Sequence, residues 1–511
     1  MSLAPAGSWR ALRAPLLCAL LLRLGILALA GEQYGYMSDE LYFLDAGRHL
    51  DFGYVDFPPL IAWLAALLEA LQLDSILALR ATAGLLGVGV TAAGLLLCQV
   101  LGGGRLACWL VALLLSLAPG FLAVQSIFTM NVLDQLWWLL AFLLLARYLQ
   151  LGDDRLLYAL GGVLGLGLLS KLSILALCLT IPLVLLLFDR RVFGRPAIWL
   201  AAGFALLLAA PFIAWQVAND FPFLDFVRAY NSSSPKAMVL ERPLLGLLLT
   251  MNPVYAPFWG AGAVACLLAR DRALRALGLA AWACLVLFVA AGVKFYFAVP
   301  LFGLFCVAGA LAWERWTAAA ARLRPALLLL AASGIAAVPS AAPVLPPAQL
   351  QRLADFLRDG EQGQKLAQPA SLERYFPHFA EMHGWPELVA LTAAVWRSLR
   401  PEQRRDAVLM ASHYGQAGAL NQLGPPQGLP PALGRHMSYH LWSAGADYRR
   451  GLFVGFDRAE LAGLFETVEL RGRLQCQRCM AREQGLAVYY VDRPRMSPEA
   501  IRQRLRRYDF F

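Results

Sequence analysis

Long apolar runs separated by short polar intervals fill the first two thirds of the chain. A helix that crosses a membrane needs about 20 mostly apolar residues, and the sequence contains about eleven runs that approach this length. The run at 59–73 is shorter and carries Glu69, so it is predicted to lie as a helix along the membrane surface. The pattern predicts an α-helical polytopic membrane protein. The predicted spans lie near residues 11–31, 76–101, 106–124, 131–149, 156–170, 173–188, 197–217, 244–268, 276–293, 296–312 and 326–344.

The composition changes at about Pro346, where Gly, Pro, Gln and charged residues become frequent and the apolar runs shorten. Strands that alternate with helical patterns are typical of a small α/β domain. We therefore predict a membrane domain over residues 1–345 and a C-terminal α/β domain over residues 346–511. The predicted strands are 407–411, 451–456 and 486–491, and the predicted helices are 458–464 and 498–507.

Composition and charge agree with a membrane location. Of the 511 residues, 59% are hydrophobic and 15% are charged, whereas a soluble domain carries about 25% charged residues. With the N-terminus inside, every second loop between the predicted spans is rich in arginine, as the positive-inside rule requires. This arrangement predicts that the first polar loop and the C-terminal domain both face outward, and for a protein of the bacterial inner membrane the outward side is the periplasm. The net charge of +10 does not indicate a nucleic-acid partner, because no aromatic residues interleave with a basic groove.

The first polar interval, Tyr34 to Leu60, stands out for its acidic residues. Its five carboxylates are Asp39, Glu40, Asp45, Asp51 and Asp56, with aromatic side chains between them. Charge beside a membrane span is costly and is often functional. The interval is therefore a candidate for catalysis or cation binding, and an ordinary solvated loop is the structural alternative.

Several motifs resemble those of the family 39 glycosyltransferases, which are GT-C membrane enzymes. The first loop contains DELYFLDAGRHL and then GYVDFPPL, and FTMNVLDQLWW, GLGLLSKLS and KFYFAVPLF follow in order. The resemblance covers roughly the first two thirds of the chain, and the later stretch SHYGQAGALNQLGPPQGLP looks like the extension of one bacterial branch. The family is related to protein O-mannosyltransferases and lipid A aminoarabinose transferases.

The resemblance implies a GT-C-like fold with about eleven transmembrane helices. It also implies a glycosyltransferase that moves a sugar from a polyprenyl-phosphate-linked donor, with inversion and a carboxylate base, on the extracytoplasmic face. The acceptor is left open among a protein, a lipid and a cell-envelope glycan. A transporter or flippase of a lipid-linked substrate is the alternative. It would work without bond cleavage and would place acidic residues at mid-membrane depth.

Three carboxylates are predicted to serve catalysis. Asp39 matches the aspartate of the family's acidic pair and is the first choice for the base that takes the acceptor's proton. Glu40 is predicted to orient the acceptor, bind a cation or hold Asp39, with a purely structural role as the alternative. Asp134, near the outer end of the fourth span, resembles the second acidic position of the family, and capping or a buried salt bridge is its alternative. No cofactor is certain, and a divalent cation at Asp39 and Glu40 stays open.

The lysines are predicted to bind the donor phosphate. The chain has 44 Lys and Arg residues, yet only four are Lys, and Lys171, Lys236 and Lys294 all fall on the outward side of the membrane part. An ammonium group at this level suits a prenyl phosphate, whereas snorkelling to lipid headgroups is the alternative. Arg80, at the outer start of the second span, is a further phosphate candidate.

The remaining candidates bind substrate or fix the fold. Tyr42 is predicted to stack on a sugar ring, and His49 and Asp56 complete the predicted substrate-binding set, although a lone His is more often a packed polar residue. Cys476 and Cys479 form a single CxxC pair in the outward domain. An oxidising compartment favours a local disulfide there, ahead of a free pair and of a redox role.

Overall fold

The protein is mostly helical up to the C-terminal region. The computed structural model describes residues 9–30, 33–233, 241–362 and 371–509. The helices of the first part are α1 Trp9–Ala30, α2 Ser38–Arg48, α3 Leu60–Ala70, α4 Ile76–Val100, α5 Arg105–Leu117, α6 Pro119–Leu122, α7 Met130–Leu151, α8 Asp154–Ser170, α9 Leu175–Phe188, α10 Pro196–Ala218, α11 Pro222–Ser233, α12 Glu241–Thr250, α13 Ala256–Leu268, α14 Arg272–Ala290, α15 Val299–Trp316, α16 Arg324–Ala332 and α17 Val338–Ala341.

Among the described residues, seven helical segments are long and apolar enough to cross a membrane. Several other predicted spans are shorter apolar helices, among them Arg105–Leu117 and Leu172–Phe188. The seven segments are Ala11–Ala30, Ile76–Val100, Met130–Leu151, Pro196–Ala218, Arg272–Ala290, Tyr296–Trp316 and Ala321–Ala341.

The predicted single span at 244–268 is wrong. Helix α12 ends at Thr250, and the chain turns before α13 begins at Ala256. Asn252 has a φ of +64°, and its side chain accepts the N–H of Val254. The residue before a proline is disfavoured in the helical region. Because Pro253 follows Asn252, the helix is interrupted here even though the apolar run continues.

The helices of the membrane part share one large hydrophobic core, to which α4, α5, α7 and α15 contribute fully buried side chains. Helices α13 and α15 approach closely at Gly262 and Gly309, where a Cβ on either glycine would overlap the backbone of the opposite helix. Small residues at such contacts allow helices to pack tightly within a membrane.

The C-terminal region folds as an α/β unit, which confirms the predicted fold class. Its helices are α18 Pro347–Gln362, α19 Ser371–Tyr375, α20 Pro377–Ala380, α21 Trp385–Ser398, α22 Pro401–Arg404, α23 Tyr414–Leu423, α24 Ser438–Trp442, α25 Arg458–Leu464 and α26 Pro498–Leu505. Its strands are β1 Val408–Ala411, β2 Ala432–Gly434, β3 Arg450–Val454, β4 Phe465–Arg473 and β5 Ala487–Pro494.

The five strands form one mixed sheet in the order β2-β1-β3-β5-β4. Strands β2, β1 and β3 are parallel, whereas β5 pairs antiparallel with both β3 and β4. The predicted strands correspond to β1, β3 and β5. Strands β2 and β4 were not predicted, because β2 has only three residues and exposed charged residues interrupt the apolar pattern of β4.

A second hydrophobic core joins the acidic loop to the C-terminal region. It contains buried residues of α2 and α3 together with residues of α21, α23 and the sheet. Gly418 on α23 lies against Leu41 on α2, where an added Cβ would lie 2.7 Å from the Leu41 Cβ atom. The acidic loop is therefore fixed between the membrane helices and the α/β unit. The domain boundary at residues 345 and 346 stays a prediction.

Candidate functional site

Helix α2 positions the acidic pair of the first loop. Asp39 and Glu40 lie in its first turn, where the helix dipole stabilises negative charge. The Glu40 carboxylate accepts the backbone N–H of Met37 at 2.9 Å, which satisfies a free donor at the helix start. This arrangement directs the two neighbouring carboxylates to different surroundings.

Asp39 is half-buried and lies at the interface with the α/β unit. The hydroxyl of Tyr414, at the start of α23, donates to Asp39 Oδ1 at 2.9 Å. Burial raises the pKa of Asp39 above its usual value, while the Tyr414 hydrogen bond and the positive charges of Lys294 and Arg482 lower it. Asp39 therefore combines the raised proton affinity that suits a base with partners that stabilise its ionised form.

Glu40 is fully buried and has structural contacts on both carboxylate oxygens. Besides Met37, it accepts the N–H of Phe128 at 2.9 Å, and it lies 3.9 Å from the Arg80 guanidinium. Arg80 also donates to the carbonyl oxygen of Gly35 at 2.8 Å. These contacts tie the loop to α4 and to the segment before α7. They favour a positioning role for Glu40, and they do not favour the predicted donor-phosphate role of Arg80.

The negative charge of Asp39 acts on the carboxyl group of Asp56. It accepts a hydrogen bond from Tyr42 at 2.9 Å. Burial raises the pKa of Asp56 to about 7, the charge of Asp39 adds to this rise, and the Tyr42 hydrogen bond opposes it. The two aspartates thus resist simultaneous ionisation.

Tyr42 does not fit its predicted role of stacking on a sugar. Its side chain is 1% exposed and lies between the rings of Tyr414 and Tyr439, with ring centroids 4.9 and 5.7 Å away. Its hydroxyl contacts Asp56 and Ser438. A ring that is almost completely buried offers no surface to a substrate, so Tyr42 supports Asp56 instead.

His49 is on the surface at the end of α2. Its ring stacks on Trp442 with centroids 4.4 Å apart, and its Nδ1 lies 2.9 Å from the carbonyl oxygen of Asp45. These contacts correspond to the packed polar residue that the sequence analysis weighed against a substrate role.

Asp134 and Lys171 form a buried pair. Lys171 Nζ lies 3.8 Å from Asp134 Oδ2 and donates to the side chain of Asn131 at 2.6 Å. Asp134 Oδ1 accepts hydrogen bonds from Ser173 at 2.6 Å and from Trp138 at 3.1 Å. The two motifs FTMNVLDQLWW and GLGLLSKLS therefore meet through these side chains.

Lys294 places a second ammonium group near the Tyr296 ring, which Lys171 also approaches. It is exposed in the turn before α15, and its Nζ lies 4.6 Å from the ring centroid of Tyr230 and 5.9 Å from that of Tyr296. Lys171 Nζ lies 5.1 Å from the same Tyr296 ring, and its charge interacts with that of Lys294. The charge of Lys294 therefore acts both on Lys171 and on Asp39. The predicted phosphate ligand Lys236 lies outside the described residues.

A divalent cation at Asp39 and Glu40 is one of the predictions for this site. In the part of the chain that the structure describes, no group of three or more His, Cys, Asp or Glu side chains is arranged to hold a metal ion. A divalent cation stays a prediction. Both Glu40 oxygens accept backbone N–H groups, so Asp39 is the better placed of the two for such an ion.

Three residues that contact the predicted site residues, Tyr414, Asn131 and Ser173, were not predicted from the sequence. Tyr414 lies in the SHYGQ stretch that the resemblance covers, but no chemical pattern linked it to Asp39. Asn131 and Ser173 lie inside the quoted motifs, and their small polar side chains were the available signal. The structure joins Cys476 and Cys479 in a disulfide, which was the first of the three alternatives for this pair.

Comparisons with known proteins agree with this description. The family model for dolichyl-phosphate-mannose-protein mannosyltransferase matches residues 56–215. No curated protein matches the sequence. Among solved structures, ArnT from Cupriavidus metallidurans in the apo state has 15% sequence identity and a TM-score of 0.57, covering 93% of this chain and 97% of that chain. The same protein bound to undecaprenyl phosphate has 15% identity and a TM-score of 0.59, covering 95% of this chain and 98% of that chain.

The match over residues 56–215 includes the motifs that place Arg80, Asp134 and Lys171. The fold shared with ArnT extends over nearly the whole chain, including the C-terminal α/β unit. Residues 56–215 thus match the dolichyl-phosphate-mannose-protein mannosyltransferase model, and the chain as a whole has the fold of ArnT.

Proposed function

We propose that the protein transfers a sugar from a polyprenyl-phosphate-linked donor to an acceptor hydroxyl, with Asp39 as the base. The observation that carries this proposal is that the ammonium groups of Lys171 and Lys294 both lie near the Tyr296 ring, and that the charge of Lys294 also acts on Asp39. Sugar transfer from a lipid phosphate needs a group that accepts a proton and a positive charge that stabilises the leaving phosphate. Asp39 supplies the proton acceptor, and Lys294 and Lys171 supply the positive charge.

In the proposed reaction, the acceptor oxygen attacks the anomeric carbon of the sugar while Asp39 takes the proton from that oxygen. The bond between the anomeric carbon and the phosphate oxygen breaks, and the electron pair leaves with the polyprenyl phosphate. Lys294 and Lys171 stabilise the negative charge on this leaving group. A single displacement of this kind inverts the configuration at the anomeric carbon.

The donor class is supported by two comparisons. The description of the matching family model names dolichyl-phosphate mannose, and an ArnT structure of the same fold was determined with undecaprenyl phosphate bound. Both ligands contain a prenyl chain on a phosphate group. The acceptor class, whether a protein, a lipid or a cell-envelope glycan, follows from neither comparison.

The protein is a multi-pass membrane protein. Within the proposal, it lies in a bacterial inner membrane with Asp39 and the C-terminal unit facing the periplasm. The alternation of arginine-rich loops supports this orientation.

The proposal is tested with purified protein in liposomes that contain polyprenyl-phosphate sugars and a panel of acceptors. Wild-type protein should release polyprenyl phosphate together with a glycosylated acceptor. Asp39→Asn keeps the shape of the side chain and removes the proton acceptor, so turnover should fall by about 10²-fold or more. The matched control is Asp51→Asn, because Asp51 lies in the same loop, is exposed, and its side chain accepts the N–H of the neighbouring Phe52.

Two results would count against the proposal. Movement of the lipid-linked sugar across the membrane without cleavage of the sugar–phosphate bond would indicate the transporter class. Near-normal turnover of a correctly folded Asp39→Asn protein would place the base elsewhere, with Asp134 the next residue to replace.

A further inference from the structure

A cavity of about 130 Å³ lies between α1 and α4, away from the two lysines of the proposed donor site. Its walls are mostly apolar and consist of large aliphatic and small side chains of the two helices together with Pro343. One end is polar and is formed by Arg23, Arg80, Gln125 and Ser126. Neither Lys171 nor Lys294 lines it.

Arg23 is a buried cation within the first membrane span. Its side chain is 5% exposed, and its Nη2 donates to the carbonyl oxygen of Ser116 at 3.2 Å and to the side-chain oxygen of Gln125. Its Nε and Nη1 are buried without a hydrogen-bond partner among the described residues, and no carboxylate of that part of the chain forms an ion pair with Arg23. An arginine stays protonated in proteins. The site therefore has unsatisfied N–H donors and a positive charge in apolar surroundings.

The cavity wall continues onto the lipid-facing surface of the helices. Leu24 on α1 and Leu85 on α4 both line the cavity, and they are 51% and 63% exposed. In a membrane span, an exposed leucine faces the acyl chains of lipids. A ligand with a polar end at Arg23 and a hydrocarbon chain could therefore extend past these leucines into the bilayer.

We propose that this cavity binds the phosphate headgroup of an anionic membrane lipid. Phosphate oxygens accept the free Nε–H and Nη1–H groups of Arg23, and the lipid chain leaves the cavity between Leu24 and Leu85. A phosphate matches the planar donor pattern of an arginine, and its charge offsets the burial of the guanidinium. This is a binding site for a lipid that is not consumed, and it does not depend on the proposed transfer reaction.

The site also contacts the loop that holds Asp39. Arg80 lines the cavity and lies 3.9 Å from Glu40, whose neighbour in the sequence is Asp39. Gln125 connects the cavity to α7, because its side-chain amide donates to Gln135 at 2.8 Å. Lipid binding at Arg23 should therefore stabilise the packing of α1, α4 and α7 around the acidic loop.

Lipid binding is measured by native mass spectrometry and by the melting temperature of purified protein in detergent, with no transfer assay. The probes are phosphatidylglycerol, phosphatidylcholine with the same chains, and undecaprenyl phosphate. Phosphatidylglycerol should bind and raise the melting temperature, and Arg23→Gln should weaken this binding about tenfold or more. Arg13→Gln is the matched control, since Arg13 lies exposed on the same helix.

A second variant blocks the cavity and leaves Arg23 in place. Gly84 lines the cavity, and a Cβ added there meets only the Arg23 Cβ at 3.9 Å. Gly84→Leu should therefore fill the space without displacing the backbone and should also abolish lipid-dependent stabilisation. Because this variant retains the arginine, it separates loss of the site from misfolding caused by loss of the charge.

The outcomes distinguish the sources of the phosphate. Binding of phosphatidylglycerol that depends on Arg23 assigns the site to a membrane phospholipid. Binding of undecaprenyl phosphate alone that depends on Arg23 assigns it to the carrier lipid, and supports the same phosphate chemistry. The proposal is overturned when Arg23→Gln and Gly84→Leu bind every anionic lipid as the wild type does, or when none of the probes binds.

Discussion

Lys171 Nζ lies 3.8 Å from Asp134 Oδ2, and both side chains are buried. Asn131 and Ser173 complete the pair, accepting from the ammonium group and donating to the carboxylate, respectively. The positive charge of Lys171 is thus held by the protein itself before a donor lipid binds. The ammonium group is positioned in advance, and the Lys294 ammonium group is the more exposed of the two.

Replacement of Lys171 by methionine should destabilise the protein without lipid. The change leaves Asp134 as a buried carboxylate without its cation, and breaking a buried pair in this way costs about 3–5 kcal/mol. The free energy of unfolding in detergent, measured in the absence of polyprenyl phosphate, checks this expectation.

The double variant Lys171→Met with Asp134→Asn is the control for this experiment, because it removes both charges together. It should recover much of the lost stability. An unchanged or higher apo stability of Lys171→Met, combined with weaker donor binding, would contradict the stabilising pair and leave the donor phosphate as the anionic partner of Lys171.

Glu40→Gln should lower stability, whereas Asp39→Asn should not. A glutamine presents an NH₂ group to one of the two backbone N–H donors that Glu40 accepts, from Met37 and Phe128, and it removes the charge opposite Arg80. Loss of a hydrogen bond to a charged group costs about 1.5–3 kcal/mol. Melting temperatures of the two variants, compared with the wild type, check this difference. A Glu40→Gln protein that melts like the wild type but does not turn over would instead assign Glu40 to the reaction.

The features that depend on local sequence patterns could be predicted from the sequence alone. Apolar runs predicted most of the membrane helices, and the unusual lysines and acidic residues drew attention to Lys171 and to Asp134, for which a buried salt bridge was one of the alternatives. Tyr414 could not be found in this way, because it lies 375 residues from Asp39 and meets it only through packing of α23 against α2. Tyr42 was assigned to substrate because sequence shows an aromatic ring but not its burial.

The C-terminal unit should face the outside of the cell. The prediction rests on the alternation of arginine-rich loops along the chain. A reporter enzyme that is active only after export, fused after Phe511, should be active, and a reporter that is active only in the cytoplasm should be inactive at the same position. The reverse pair of results would invert the topology and place Asp39 on the cytoplasmic side.

Tyr414→Phe should move the acid side of the pH–activity profile to higher pH. Asp39 acts as a base only when it is ionised, so activity should rise as pH rises through its pKa. Burial raises that pKa, and the Tyr414 hydroxyl lowers it because its hydrogen bond stabilises the ionised form. Removal of the hydroxyl should therefore raise the pKa of Asp39 and shift the acid limb of kcat/KM upward by about one pH unit.

The phenylalanine retains the ring that stacks on Tyr42, so the shift reports on the hydroxyl rather than on packing. Tyr439→Phe is the matched control, because the Tyr439 hydroxyl donates to Asp45 and not to Asp39. It should leave the acid limb in place. A Tyr414→Phe protein that loses turnover equally at every pH, with no displacement of the acid limb, would show that Tyr414 acts only on the structure of the site or that Asp39 is not the base.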